Sequence, residues 1–143
     1  MTIEICEIHK GNQDLLQNLV SDVFDGPIIK SSYGEFIDDK RHHLIVATDK
    51  EADDRVVGMV SAFLYIHPDK TNQFFINELS VADSYLRLGI ATQLMAKMLD
   101  KAKLLGCKEA WLATEKDNIV ANRFYQSLNC VAEDCVAYHF DIK

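Results

Sequence analysis

The chain has 143 residues, 48% of them hydrophobic and 26% charged, a balance that fits one globular domain with a sizeable buried core. Twenty-two acidic residues against 15 basic ones leave a net charge of −7, which repels phosphate backbones and sets nucleic acid aside as a partner. No apolar run approaches the roughly 20 residues of a membrane-crossing helix, and the opening MTIEICEIHK lacks the layout of a signal peptide. A cytoplasmic protein with no membrane partner is therefore expected.

Residues 2–9 alternate apolar and polar, as a half-buried strand does. Asn12 is placed to cap a helix whose apolar face is Leu15, Leu16, Leu19, Val20 and Val23. The stretch from Asp25 to Lys40 contains Gly26-Pro27 and Gly34 and reads as a loop with a short helix. Two runs rich in Val, Ile, Phe and Tyr follow, at 43–48 and 55–67, joined by the polar tip DKEADD. His67-Pro68-Asp69-Lys70 is the next turn, leading into a strand over 73–81.

Beyond Gly89 the period becomes helical. Ile90, Leu94, Met98, Ala102 and Leu105 form one apolar stripe, and Gly106 closes the helix. A strand over 109–114 carries the only tryptophan, Trp111. Asp117 or Asn118 then caps a helix bearing Ile119, Phe124, Tyr125 and Leu128, and 136–142 reads as a last strand. The fold class is α+β with a mixed sheet. Antiparallel strands come first and a parallel strand–helix–strand unit follows, with helices on both faces.

The cysteines Cys6, Cys107, Cys130 and Cys135 form no CxxC pair, and they read as reduced thiols. Cys130, Cys135 and His139 match no regular zinc spacing, so no metal is expected. His42 and His43 are adjacent in a strand and point to opposite faces.

Chemistry concentrates in 74–92, FFINELSVADSYLRLGIAT, where a strand ends in a polar turn and a helix opens at one glycine. Free amides at a helix N-terminus can bind phosphate. A Walker loop needs Gly-Lys-Ser/Thr, which is absent, and the dinucleotide fingerprint needs three glycines where only Gly89 is present. What remains is a strand-to-helix turn with Gly89 and the small Ala91.

The run Arg87-Leu88-Gly89-Ile90-Ala91 resembles the acyl-CoA loop of the Gcn5-related N-acetyltransferase (GNAT) superfamily, whose pattern is Gln/Arg-x-x-Gly-x-Gly/Ala. Asn118-Ile119-Val120-Ala121-Asn122-Arg123-Phe124-Tyr125 resembles the Asn-x-x-Ala-x-x-Phe-Tyr helix that follows the next strand in that family. A narrower likeness is to the type I aminoglycoside (gentamicin) 3-N-acetyltransferases. It rests on Glu78-Leu79-Ser80-Val81, Gly89-Ile90-Ala91-Thr92 and the ending His139-Phe140-Asp141-Ile142. Leu86 stands where the loop pattern has Gln or Arg, with Arg87 one place later; Asn129-Cys130 replace a frequent Gly-Phe.

The resemblance implies a single acetyltransferase domain over 1–143, using acetyl-CoA as co-substrate and no metal. It implies that Leu86, Arg87, Leu88, Gly89, Ile90, Ala91 and Thr92 wrap the pyrophosphate, and that backbone groups of Leu79, Ser80 and Val81 meet the pantetheine and the oxyanion. Glu78 is the expected base and Tyr125 the expected acid at the sulfur. Asn118 binds the cofactor, caps its helix, or does both; Tyr85 is core or cofactor-lining. The resemblance also implies a primary amine as the acceptor.

An acidic cleft drawn from Asp25, Glu35, Asp38, Asp39, Glu78, Glu133, Asp134 and Asp141 would suit a small polycation such as an aminoglycoside or polyamine. A peptide amine, or an acyl-CoA-binding module without transfer, are the alternatives. A relative acting on aminoacyl-tRNA would need a basic surface, which the charge opposes. An exposed apolar edge on the last strand would give a homodimer its surface.

Overall fold

A computed structural model describes the whole chain, Met1–Lys143. The chain divides into two compact units, Met1–Leu112 and Ala113–Lys143. The first holds β1 (Ile3–Glu7), α1 (Lys30–Asp38), β2 (His42–Asp49), β3 (Arg55–His67), β4 (Lys70–Val81), α2 (Ile90–Leu104) and β5 (Glu109–Trp111). The second holds α3 (Ile119–Gln126). No helix is long and apolar enough to cross a membrane.

The five strands form one sheet in the order β1-β2-β3-β4-β5. The first three pairings are antiparallel and β4–β5 is parallel, with α2 as the crossover. The two hairpins lie where polar tips were read. Asp53 and Asp54 take left-handed backbone at the first, and His67 pairs with Lys70 across Pro68-Asp69 at the second.

Pleating sorts the residues onto two faces. Leu44 and Val46 of β2, with Met59 of β3, join Ile8, Leu16, Val23 and Ala82 in a core cluster against which Tyr33, Phe36 and Ile37 pack. The opposite face meets α2, whose Ile90, Leu94, Met98 and Ala102 are all buried, as their spacing predicts. Gly58 lies under that helix, where a side chain would meet Leu94 and Ile90. Gly106, with φ of +79°, ends the helix as expected.

The adjacent histidines diverge as the pleat requires. His42 is exposed and its ring lies 5.2 Å from that of Phe36. His43 is buried on the α2 face, and its Nδ1 donates to Glu7 Oε1 at 3.0 Å. Lys101 of α2 reaches the other oxygen of Glu7 at 3.1 Å, tying the helix to β1 and β2. Burial pushes the Glu7 carboxyl up, but the bonds from His43 and Lys101 outweigh it and hold it below its usual value. A depressed carboxylate contributes stability that is present above its unfolded-state value and is lost as pH falls through its folded-state value. Glu7→Gln should therefore cost about 1 kcal/mol at pH 7. Urea midpoints measured down the pH scale should show the gap between wild type and variant closing as pH falls through and below the ordinary carboxylate range.

Three expectations need correction. The helix from Asn12 through Val23 is only a 3-10 turn, Gln13–Gln17. The Asn12 side chain does not cap it but accepts from His9 N at 2.8 Å and donates to Glu7 O at 2.9 Å. Downstream the chain leaves the helical path because Val56 N donates to Asn18 O and Val20 N donates to Val56 O, a short parallel bridge to β3. Leu16 and Val23 are buried all the same. The strand expected over 109–114 stops at Trp111. Residues 136–142 form no strand, for the sheet has no sixth member to pair with them, and the edge argument for a homodimer goes with that strand.

Candidate active site

On β4, Phe74 and Ile76 are buried on the α2 face. Strict alternation would send Glu78 to that same apolar face. The chain avoids this with a bulge: Ala62 of β3 pairs with Ile76 and Ser61 pairs with Glu78, leaving Asn77 as the extra residue. The bulge turns Glu78 onto the face carrying Ser61 and Leu44, where it is exposed, and no ion pair or hydrogen bond engages its carboxylate. The parallel neighbour ends at the same place. Its last pair is Phe75 with Trp111, and β4 continues to Val81 with no strand on that side. Along an antiparallel strand, alternate backbone groups point away from the partner, so Leu79, Ser80 and Val81 lie on an edge whose outward groups are free.

The strand leads directly into the loop. Ala82 is wholly buried and its N–H donates to Val57 O at 2.8 Å. Asp83 to Tyr85 form one 3-10 turn. Leu86 and Leu88 are exposed, Arg87 has φ of +62° and Gly89 φ of +78°. Left-handed backbone costs a non-glycine residue roughly 1–2 kcal/mol, so the strain at Arg87 marks a conformation that its surroundings impose.

Gly89 is the N-cap of α2 and offers no side chain to its amides. The first helical bond runs from Gln93 N to Gly89 O, which leaves the N–H groups of Ile90, Ala91 and Thr92 without partners. Three free amides at the positive end of a fifteen-residue helix favour negative charge in front of them. The Arg87 side chain is exposed and forms no ion pair. No group of three or more His, Cys, Asp or Glu side chains is placed to hold a metal ion.

In the second unit, Asn118 caps α3 by accepting from Ala121 N at 3.2 Å. Asn122 secures the same turn by donating to Glu115 O and Asn118 O. Tyr125 is half-buried beside Phe124, and burial pushes its phenol up, so it stays protonated at neutral pH. Among the acidic residues weighed for a cationic acceptor, Asp38 pairs with Lys10, Asp39 with Arg41, Asp134 with Lys116 and Asp141 with His139. Asp25, Glu35, Glu78 and Glu133 carry no such partner.

The bulge at Asn77 is the feature near the candidate site that the sequence reading missed. Its signal was available: Phe74, Ile76 and Glu78 are in phase, and a carboxylate in phase with two core residues requires a register change.

Residues 14–129 match the model of the acetyltransferase (GNAT) family. The chain belongs to that family. It is accordingly an acetyl-CoA-dependent N-acetyltransferase. This GNAT protein is 32% identical over 120 residues to N-alpha-acetyltransferase 30 of Schizosaccharomyces pombe, covering 84% of this chain and 77% of that one.

Its fold matches an aminoglycoside acetyltransferase from an uncultured soil metagenomic sample, with a TM-score of 0.83 and 17% identity over 99% of this chain and 97% of the other. A transcriptional regulator from Bacillus halodurans aligns with a TM-score of 0.76 at 26% identity, covering 97% and 100%.

Proposed function

We propose that the protein moves the acetyl group of acetyl-CoA to a primary amine by direct attack, with Glu78 as base and Tyr125 as acid, within one catalytic domain formed by the whole chain. The observation that carries this reading is the bulge, which aims an unpaired carboxylate beside the place where β4 loses its parallel neighbour. The free amides opening α2 support diphosphate binding one turn farther along the chain. In this scheme Leu86 to Thr92 surround the diphosphate through backbone groups, so that the leucine at position 86 is tolerated. Asn118 serves as a cap.

The amine of a lysine-like acceptor has a pKa of about 10.4 and reaches the site protonated. Glu78 takes that proton, directly or through water, and the freed nitrogen attacks the thioester carbonyl. Outward amides of Leu79 to Val81 meet the oxyanion of the tetrahedral intermediate. The C–S bond then breaks and Tyr125 gives its proton to the departing sulfur; the nitrogen releases its second proton, which restores the phenol through solvent, and Glu78 returns the first to water, so that the products are the amide and free CoA.

For the acceptor, the first reading is a small polycationic amine such as a polyamine or an aminoglycoside. The net charge of −7 and the overall likeness to aminoglycoside acetyltransferases support it. The pairing of Asp38, Asp39 and Asp134 with lysine or arginine leaves Asp25, Glu35, Glu78, Glu133 and Asp141 as the acidic set without a fixed cation. A second reading, the α-amine of a peptide, is favoured by the 32% identity to N-alpha-acetyltransferase 30.

Thiol release from acetyl-CoA, measured across aminoglycosides, polyamines and short peptides with free N-termini, separates the two. Release with the small amines alone supports the first, release with peptides alone the second. Acetyl-CoA binding without release on any amine would leave only a silent acyl-CoA-binding module. In the same assay Tyr125→Phe should lose less activity than a change at Glu78, because a thiol with a pKa of about 8.5 departs readily even as its anion.

A further inference from the structure

Asp49 ends β2 and is buried; Arg55 stands opposite it on β3 and the N-terminal ammonium acts on it from outside the sheet, but no side-chain cation forms an ion pair with it. Its carboxylate instead collects hydrogen bonds. Tyr85 Oη donates to Oδ2 at 2.7 Å, and the amides of Glu51 and Thr2 donate to Oδ1 at 3.1 and 3.3 Å. The Tyr85 bond is the strongest of the influences that hold this carboxyl below its usual range, against burial, which pushes it up. A charge-assisted bond of this length is among the stronger non-covalent contacts a chain makes.

Tyr85 sits at a decisive point. It closes the 3-10 turn, and its ring packs on the cluster of Ile8, Leu16 and Val56. Upstream the chain is tied at Ala82, by its bond to Val57, and at Asp83, whose N–H donates to Asp22 Oδ2 at 2.9 Å. Downstream the next fixed residue is Ile90, buried under α2. Between these anchors, residues 86–89 are exposed and make no backbone bond to the sheet; Leu86 N reaches only Asp83 O, at 3.4 Å. This short span contains both left-handed residues, Arg87 and Gly89. A strained span with few contacts of its own keeps its shape only if its ends are held.

We propose that Asp49 and Tyr85 are positioning residues for the diphosphate of the acyl donor. Their hydrogen bond fixes the near end of the 86–89 span, and so the direction in which its amides and those of Ile90 to Thr92 point. This rests on the acetyl-CoA reading above. Neither side chain touches the reacting atoms; each acts through the loop.

The test compares two thioesters with the full chain: acetyl-CoA, and acetylpantetheine, which carries the same reacting arm without the diphosphate. Tyr85→Phe keeps the ring in the core and removes only the hydroxyl. It should raise KM for acetyl-CoA roughly 10-fold, the lower end of what a bond to a charged group is worth, while kcat and the KM for acetylpantetheine stay at wild-type values. Asp49→Asn leaves one acceptor oxygen for the amides of Glu51 and Thr2 and turns an NH2 toward the phenol, so it should raise KM for acetyl-CoA at least as far as Tyr85→Phe.

Equal rises in KM for both thioesters would mean general loosening, and no change for either would mean an idle contact; each result overturns the assignment. If the wild type itself uses both thioesters with the same KM, the diphosphate reading fails, and this inference fails with it.

Discussion

Replacing Glu78 with Gln should lower kcat by roughly 10²–10⁴-fold, the contribution of a well-placed general base, and leave the KM for acetyl-CoA near its wild-type value. Glutamine has the same shape and still forms hydrogen bonds, so only the ability to accept a proton is lost. The site's geometry makes this a clean experiment. Glu78 is exposed and unpaired, so its amide should fold as well as its acid, with a change in stability within about 0.5 kcal/mol. The pH dependence adds a second readout. As pH rises toward the pKa of the acceptor amine, about 10.4 for a lysine-like group, more acceptor arrives already deprotonated, and the deficit of the variant should shrink. Wild-type kcat in the variant at neutral pH would remove Glu78 from the mechanism while leaving the bulge and the loop unexplained.

What could be read from the sequence was what depends on neighbours along the chain. The stripe of Ile90, Leu94, Met98 and Ala102 announces α2 because helical spacing is local, and Gly89 and Gly106 mark its ends for the same reason. The free amides of the helix start follow from those ends alone. Elements that depend on distant partners were misread. Leu15 to Val23 have helical spacing and two of them are buried, but the bridge to Val56 decides the backbone there. Residues 136–142 alternate as a strand should, yet alternation supplies a face and not a partner.

The site divides in the same way. Glu78 and the loop were legible as residue types in order. The register shift that re-aims Glu78 depends on β3, and the tether at Tyr85 spans 36 residues to Asp49.

Gly58 is where fold and site meet, and enlarging it should damage both. A Cβ at this position would lie 3.1 Å from Ser80 O, 3.2 Å from Leu94 Cδ1 and 3.4 Å from Ile90 Cγ2. Valine suits a strand by propensity, but here it adds two further carbons to contacts that are already tight. Gly58→Val should cost about 1–3 kcal/mol, the usual range for overpacking a core, read as a lower urea midpoint with an unchanged slope. The contacts also predict where the strain goes. Ser80 O is backbone of the site strand and cannot rotate away, whereas α2 can shift outward at Ile90 and Leu94. That shift moves the free amides of the helix start, so KM for acetyl-CoA should rise in step with the loss of stability.

Gly58→Ala adds one carbon, which asks its neighbours to yield only slightly. Its cost is offset by about 0.4–1 kcal/mol from restricting the unfolded chain, and its KM should stay near wild type. Leu94→Ala opens the space that valine needs. If α2 is the element displaced, the double variant Gly58→Val/Leu94→Ala should recover part of the lost stability and of the acetyl-CoA affinity relative to the sum of the single changes. Strict additivity of the two would place the strain in β4 instead, and the loss would then appear in kcat through Glu78 rather than in KM.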